Sequence, residues 1–284
     1  MEVEKWAEKG KMVYALNRDI FVIDEGKSEN TLVILHGYGS SSIDYYKVLP
    51  ELSKHYRVII QDFAGFGFSD KPKDYHFNIL EQADVTLELW CLLELKNITL
   101  LSHNYGVNIA LEILARQKNS DAKIDFQSLI FLNNTISFDH TEVSEDMINP
   151  LEEFSKKIQL MHTSFSFYKI KVKDFFFDDS KISETDIKSK WILMEHKNGR
   201  EILNFLPNYA TESKLLWNRW FNTIKLNTIP AKIISGKNDF IFDENEAQQF
   251  SKEFKESKLH FIDNCGHYPM LEKPDELIKL ILNS

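Results

Sequence analysis

Asn97-Ile-Thr-Leu-Leu-Ser-His-Asn-Tyr-Gly106 is the stretch that sets the architecture. Its first half is a short apolar run of strand character. From Tyr105 onward, Val107, Ala110, Leu111 and Leu114 recur at helical spacing on one face. A strand that passes through a tight turn straight into a helix has the layout of a nucleophile elbow, which lifts the side chain at its tip into a pocket. The tip is Asn104, and asparagine is a poor nucleophile. The tip must take a strained backbone conformation, so Gly106 two positions on supplies room, and Ser102 stands where a second glycine would also help. Ser102 is still within the strand and is expected to point into packing. His103 is expected to be a buried hydrogen-bonding residue.

On the amino-terminal side, Lys11–Leu16 and Asp19–Ile23 suggest an opening hairpin around Asn17-Arg18. Further strands are expected at 31–35, 57–61, 98–102, 128–132, 231–235 and 258–262. These runs are rich in Val, Ile and Leu and mostly lack strict alternation, as strands buried on both faces do. Between them lie segments of helical spacing: Ala83, Leu87, Trp90 and Cys91 on one face, and a last helix opened by Pro274 with Leu277, Ile278 and Ile281. The alternation predicts an α/β fold, a mostly parallel sheet flanked by helices.

From about residue 137 to 223 the texture changes. Strand candidates disappear and aromatics become dense, with Phe154, Phe165, Phe167, Tyr168, Phe175, Phe176, Phe177 and Trp191. One helix is punctuated by Ser183 as N-cap, Asp186 in its first turn and Gly199 just past its end. The expectation is a core formed by 1–136 and 224–284, with a helical lid at 137–223 over the carboxyl ends of the strands, where open α/β sheets bind ligands. An ordinary helical subdomain with its own small core is the plainer alternative.

Four stretches at strand ends carry the chemistry. His36-Gly-Tyr-Gly-Ser40 is a glycine-rich loop that frees a main-chain N–H, that of Tyr38, to pair with the N–H of Tyr105 around an oxyanion; His36 heads it as a candidate substrate contact. Asp62-Phe-Ala-Gly-Phe-Gly-Phe-Ser-Asp70 is expected to be structural. The elbow is the third. The fourth is a pair of late loops, Gly236-Lys-Asn-Asp239 and Cys265-Gly-His267, each after a strand. They place an acid, Asp239, and then a base, His267, in the order nucleophile, acid, histidine.

The net charge of −9 over 284 residues argues against nucleic acid or an anionic membrane surface as partner. Two cysteines, Cys91 and Cys265, both in patterns that read as interior, suggest free thiols in a reducing compartment. With neither an apolar signal region nor a run approaching the ~20 residues of a membrane span, a cytoplasmic location is expected. The nine histidines lack metal-ligand spacing, so no metal and no cofactor are expected. The oligomeric state is not legible.

The order and spacing of these stretches resemble the α/β-hydrolase superfamily over the whole chain. Within it the likeness is to the epoxide hydrolase and haloalkane dehalogenase branch, whose elbow reads Gly/Ser-His-Asp-aromatic-Gly. Phe66-Gly-Phe-Ser-Asp-Lys-Pro72, Leu100-Leu-Ser-His-Asn-Tyr-Gly106 and His267-Tyr-Pro269 resemble most the hydrolases like mesoderm-specific transcript protein. The resemblance implies Asn104 at the nucleophile position, Asp239 as acid and His267 as base. It also implies a lid tyrosine, Tyr209, that donates a hydrogen bond to substrate oxygen. Three departures matter: Asn104 replaces aspartate, Gly39 stands where many relatives have proline, and Tyr105 stands where dehalogenases carry a halide-binding tryptophan.

By this resemblance the chain is expected to be a hydrolase of the Asp-nucleophile, epoxide hydrolase-like type. Its partner would be a small or medium apolar molecule with an electrophilic carbon. Asn104 is then an engineered replacement, a self-converting residue or a natural disablement. The alternatives are an esterase or lactonase using His-activated water, and a non-catalytic ligand-binding protein on the same scaffold.

Overall fold

A computed structural model of the chain describes residues 1–73, 76–117, 124–133, 161, 163–202 and 209–283. Among the described residues eight strands make one sheet: β1 (Gly10–Ala15), β2 (Arg18–Glu25), β3 (Thr31–Leu35), β4 (Arg57–Gln61), β5 (Ile98–His103), β6 (Phe126–Leu132), β7 (Ala231–Gly236) and β8 (Ser257–Ile262). Their spatial order is β1-β2-β4-β3-β5-β6-β7-β8. β1–β2 and β2–β4 pair antiparallel, and every other pair is parallel. β3 and β5, at the centre, are buried at every position, as strands covered by helices on both faces must be.

The opening hairpin turns one residue earlier than expected. Leu16 and Asn17 both take left-handed conformations (φ 46° and 62°), and Arg18 already belongs to β2. Two successive positive φ values match the right-handed twist of the flanking strands.

The helix Ile79–Leu92 is capped by the Asn78 side chain, which accepts from the Glu81 N–H. Its buried face keeps Ala83 and Trp90 as expected but not Cys91, which is exposed. The reason is polar. Gln82 donates to the Ala64 carbonyl at 2.7 Å and Thr86 accepts from Gln61 at 2.8 Å, so these two share the core face and rotate it away from Cys91. Cys265 is buried. The last helix, Pro274–Leu282, buries Leu277, Ile278 and Ile281 as its spacing requires.

Between β6 and β7 the described residues form the helices Phe165–Lys171, Glu184–Glu195, Gly199–Ile202 and Tyr209–Lys225, and among the described residues there is no strand. Ser183 caps Glu184–Glu195 in a reciprocal capping box with Asp186. Gly199 does not end that helix. His196 leaves it with ψ 132°, Lys197 is left-handed, and Gly199 (φ −58°) opens the next short helix. Glycine is required there by close approach, since a Cβ would lie 2.3 Å from the Met194 carbonyl oxygen. The expected boundary at 136/137 and Phe154 lie outside the described residues. The one at 223/224 falls inside the continuous helix Tyr209–Lys225.

Candidate active site

β5 runs into the helix Tyr105–Gln117 through Asn104, whose φ is +50°. Asparagine and aspartate are the non-glycine residues that tolerate this region best. The helix starts hard against the end of β3. A Cβ on Gly106 would lie 2.5 Å from the Leu35 carbonyl oxygen, so glycine is needed for that approach. Ser102 is buried within β5, its hydroxyl 3.5 Å from the Ile130 carbonyl.

The two N–H groups singled out in the sequence meet on the asparagine itself. Tyr38 N–H donates to Asn104 Oδ1 at 3.1 Å, and Tyr105 N–H donates to the same atom at 2.6 Å. Because both donors are N–H, the atom they hold is the carboxamide oxygen, which fixes the amide's orientation. Its Nδ2 is buried and has no hydrogen-bond partner among the described residues. A buried unpaired donor costs about 1–3 kcal/mol.

The residues expected as acid and base are in contact. His267 Nδ1–H donates to Asp239 Oδ2 at 2.8 Å, with both side chains nearly or fully inaccessible. Asp239 is held from two further sides. Asn133 Nδ2 donates to Oδ2 at 2.7 Å, and the Ile241 N–H donates to Oδ1 at 2.9 Å. With Nδ1 committed to the carboxylate, Nε2 carries the imidazole's lone pair. The His267 ring lies 4.8 Å from that of His103, the sequence neighbour of Asn104. His103 is buried and hydrogen-bonded, its Nε2 donating to the His267 carbonyl at 2.9 Å. Burial, reinforced by the nearby His267, drops its pKa well below the ordinary value.

His36 is placed differently from expectation. Its Nε2 accepts from Phe63 N–H at 3.0 Å and its Nδ1–H donates to the Gly37 carbonyl at 2.8 Å. Both ring nitrogens are thus spent on bracing two loops, and none remains for a substrate. Burial lowers its pKa to about 4, with Asp62 opposing the shift. Asp62 is structural as read, accepting from Ser42 and Phe68 N–H at 2.7 and 2.8 Å. Tyr209 is the first residue of the helix Tyr209–Lys225, and its side chain lies outside the described residues.

The family profile described as alpha/beta hydrolase fold matches residues 30–274. The chain belongs to the α/β-hydrolase family. It is 30% identical over 283 residues to the human mesoderm-specific transcript homolog protein, covering 96% of this chain and 84% of that one. Among solved structures it is similar to a variant of the meta-cleavage product hydrolase from Pseudomonas fluorescens. There the TM-score is 0.77 at 20% identity, with 97% of each chain covered. It is also similar to the epoxide hydrolase CorEH, with a TM-score of 0.75 at 19% identity over 96% of this chain and 97% of that one. As a member of this family the chain is a hydrolase.

Several residues of this α/β-hydrolase site were not singled out in the sequence. Asn133, left-handed at φ 42° just after β6, orients Asp239. An asparagine directly following an apolar strand was the available signal. Glu272 is buried and accepts from Gly266 N–H and Asp178 N–H, both at 2.7 Å, so it ties the histidine loop to the segment between β6 and β7. A second tie runs from His267 N–H to the Phe175 carbonyl at 2.8 Å. Lys190 and Asp44 form a buried ion pair. Among the described residues no group of three or more His, Cys, Asp or Glu side chains is placed to hold a metal ion, and no helix is long and apolar enough to cross a membrane.

Proposed function

We propose that this α/β-hydrolase works through a side-chain nucleophile at position 104, in the manner of an epoxide hydrolase, on a small or medium apolar molecule with an electrophilic carbon. The observation that carries this reading is the grip of the Tyr38 and Tyr105 N–H groups on Asn104 Oδ1. A serine at the tip would leave that N–H pair to the substrate's carbonyl oxygen. A residue with two terminal atoms puts one in the pair and presents the other. That arrangement suits an ester formed on residue 104 itself, whose carbonyl oxygen becomes the oxyanion when water attacks.

With aspartate at 104, one oxygen attacks carbon while the other stays with the N–H pair. Tyr209 donates a proton to the departing oxygen of an opening epoxide. His267, oriented by Asp239, then takes a proton from water, which adds to the ester carbon and releases the product. Tyr38, Phe66 and Tyr105 meet edge to face or tilted, at centroid distances of 5.8, 6.0 and 6.1 Å, and give the site an apolar aromatic wall.

A neutral carboxamide does not start this sequence, because its nitrogen lone pair is delocalised. The same apparatus nevertheless acts on the amide. The N–H pair polarises its carbonyl, His267 delivers hydroxide from water to Cγ, and Nδ2 leaves as ammonia with the proton His267 collected. The product is a carboxylate of nearly the same shape at position 104.

The test is Asn104→Asp against a panel of aryl epoxides and nitrophenyl esters. Hydrolysis is expected to appear in the variant and to vanish in Asn104→Asp/His267→Ala. No gain over that double variant would overturn the reading. Ester turnover by protein verified to retain Asn104, lost in His267→Ala, would favour attack by His-activated water instead.

A further inference from the structure

The loop that carries the Tyr38 N–H is held from an unexpected side. Lys190, in the helix Glu184–Glu195, sends its ammonium to both oxygens of Asp44, at 2.5 and 2.6 Å. The side chains are 5% and 2% exposed. Asp44 sits in the short 3-10 turn Ser42–Tyr45 and also accepts from the Ser40 hydroxyl, two residues after Tyr38. The same ammonium lies 4.4 Å from the ring centre of Tyr268, the residue after His267. One lysine therefore reaches the end of the oxyanion loop and the flank of the histidine loop.

One further bond joins the helix to this region, the Tyr46 hydroxyl donating to Asp186 Oδ2 at 3.2 Å just past the 3-10 turn. A small cavity separates Gly39, Ser40 and Ser41 from Leu193 and Met194, with Lys190 on its wall. Beside that cavity the ion pair joins the two elements. Removing an ammonium and a carboxylate from water is costly, and an apolar pair of similar volume is often as stable. A buried pair at this place contributes a fixed geometry more than stability.

We propose that Lys190 is a positioning residue that couples the helix Glu184–Glu195 to the oxyanion pair: its bond to Asp44 keeps the Tyr38 N–H on Asn104 Oδ1. The catalytic meaning of this link rests on the function proposed above, but the link itself does not.

Hydrogen exchange measured by mass spectrometry on the full chain tests it. In Lys190→Met, amides of the 36–45 segment should exchange about tenfold faster or more, while those of β3 and β5 keep their protection. Lys190→Arg, which keeps the charge and reaches both oxygens, should restore most of the protection. If Lys190→Met strands Asp44 and loses the fold, Lys190→Met/Asp44→Asn removes both charges and carries the same expectation. Unchanged protection of 36–45 in a folded variant, with only 184–195 loosened, would overturn the proposal. The catalytic arm places Lys190→Met on Asn104→Asp, where kcat should fall at least tenfold with KM little changed. An Asn104→Asp protein without turnover would count against the proposed function and leave the exchange result standing.

Discussion

The Tyr38 N–H and Asn104 Oδ1, 66 residues apart in sequence, lie 3.1 Å apart in space, and the Tyr105 N–H joins them at 2.6 Å. Two main-chain N–H groups therefore already share one oxygen of the protein, the atom on which negative charge would develop in the reaction proposed above. The proposed function takes this contact to separate the site from one that reserves the N–H pair for a substrate carbonyl.

The same contact bears on the chemistry of residue 104. During incubation at neutral pH the intact protein should gain about one dalton, and the peptide containing residue 104 should be recovered with aspartate. His267→Ala should stop the conversion. Unchanged mass after prolonged incubation would show that the amide is permanent.

Glu272 is expected to matter for stability without touching the reacting atoms. Glu272→Ala deprives the Gly266 and Asp178 N–H groups of their acceptor, at a cost of about 2–4 kcal/mol. Urea unfolding of the variant measures it. A change below about 0.5 kcal/mol would mean that the two N–H groups find other partners.

Acid should loosen the fold through His36. Its folded pKa is lowered by burial to about 4 from an ordinary 6.5. Between those values the unfolded chain binds a proton that the folded chain does not. The stabilisation is therefore complete above the ordinary value and is lost as pH falls toward 4. It should amount to about 2 kcal/mol between pH 7 and pH 5. His103, lowered by burial, adds loss of the same sign. Glu246, raised by burial to about 7, acts oppositely, its contribution fading as pH rises through that value. Urea unfolding of wild type and His36→Asn at the two pH values isolates the His36 part. An equal acid loss in both would place its source elsewhere.

The sheet was legible because β3 and β4 are unbroken apolar runs bounded by polar residues, and because Asn104 to Gly106 marks the one abrupt change from strand to helix spacing. The order of Asp239 and His267 along the chain was enough to look for their contact. The misplaced features depended on partners that no local pattern contains. Cys91 sits on an apolar-looking stripe, yet Gln82 and Thr86 claim the core face through bonds to Ala64 and Gln61. Gly199 looked like a helix stop, but it is glycine because Met194 and Lys71 crowd it. Lys190 and Asp44 are 146 residues apart, and a charge on the buried face of a helix carries no period that names its mate. His36 opened the right loop but is consumed by bracing it.

Attack by the side chain at position 104 can be caught directly by peptide mass spectrometry of Asn104→Asp/His267→Ala incubated with an aryl epoxide, since loss of the base should strand the covalent ester. The expected result is an adduct with the mass of the epoxide on the peptide that contains residue 104, cleaved by mild base. Absence of any adduct there in a folded protein whose single variant Asn104→Asp turns over the same epoxide would contradict it.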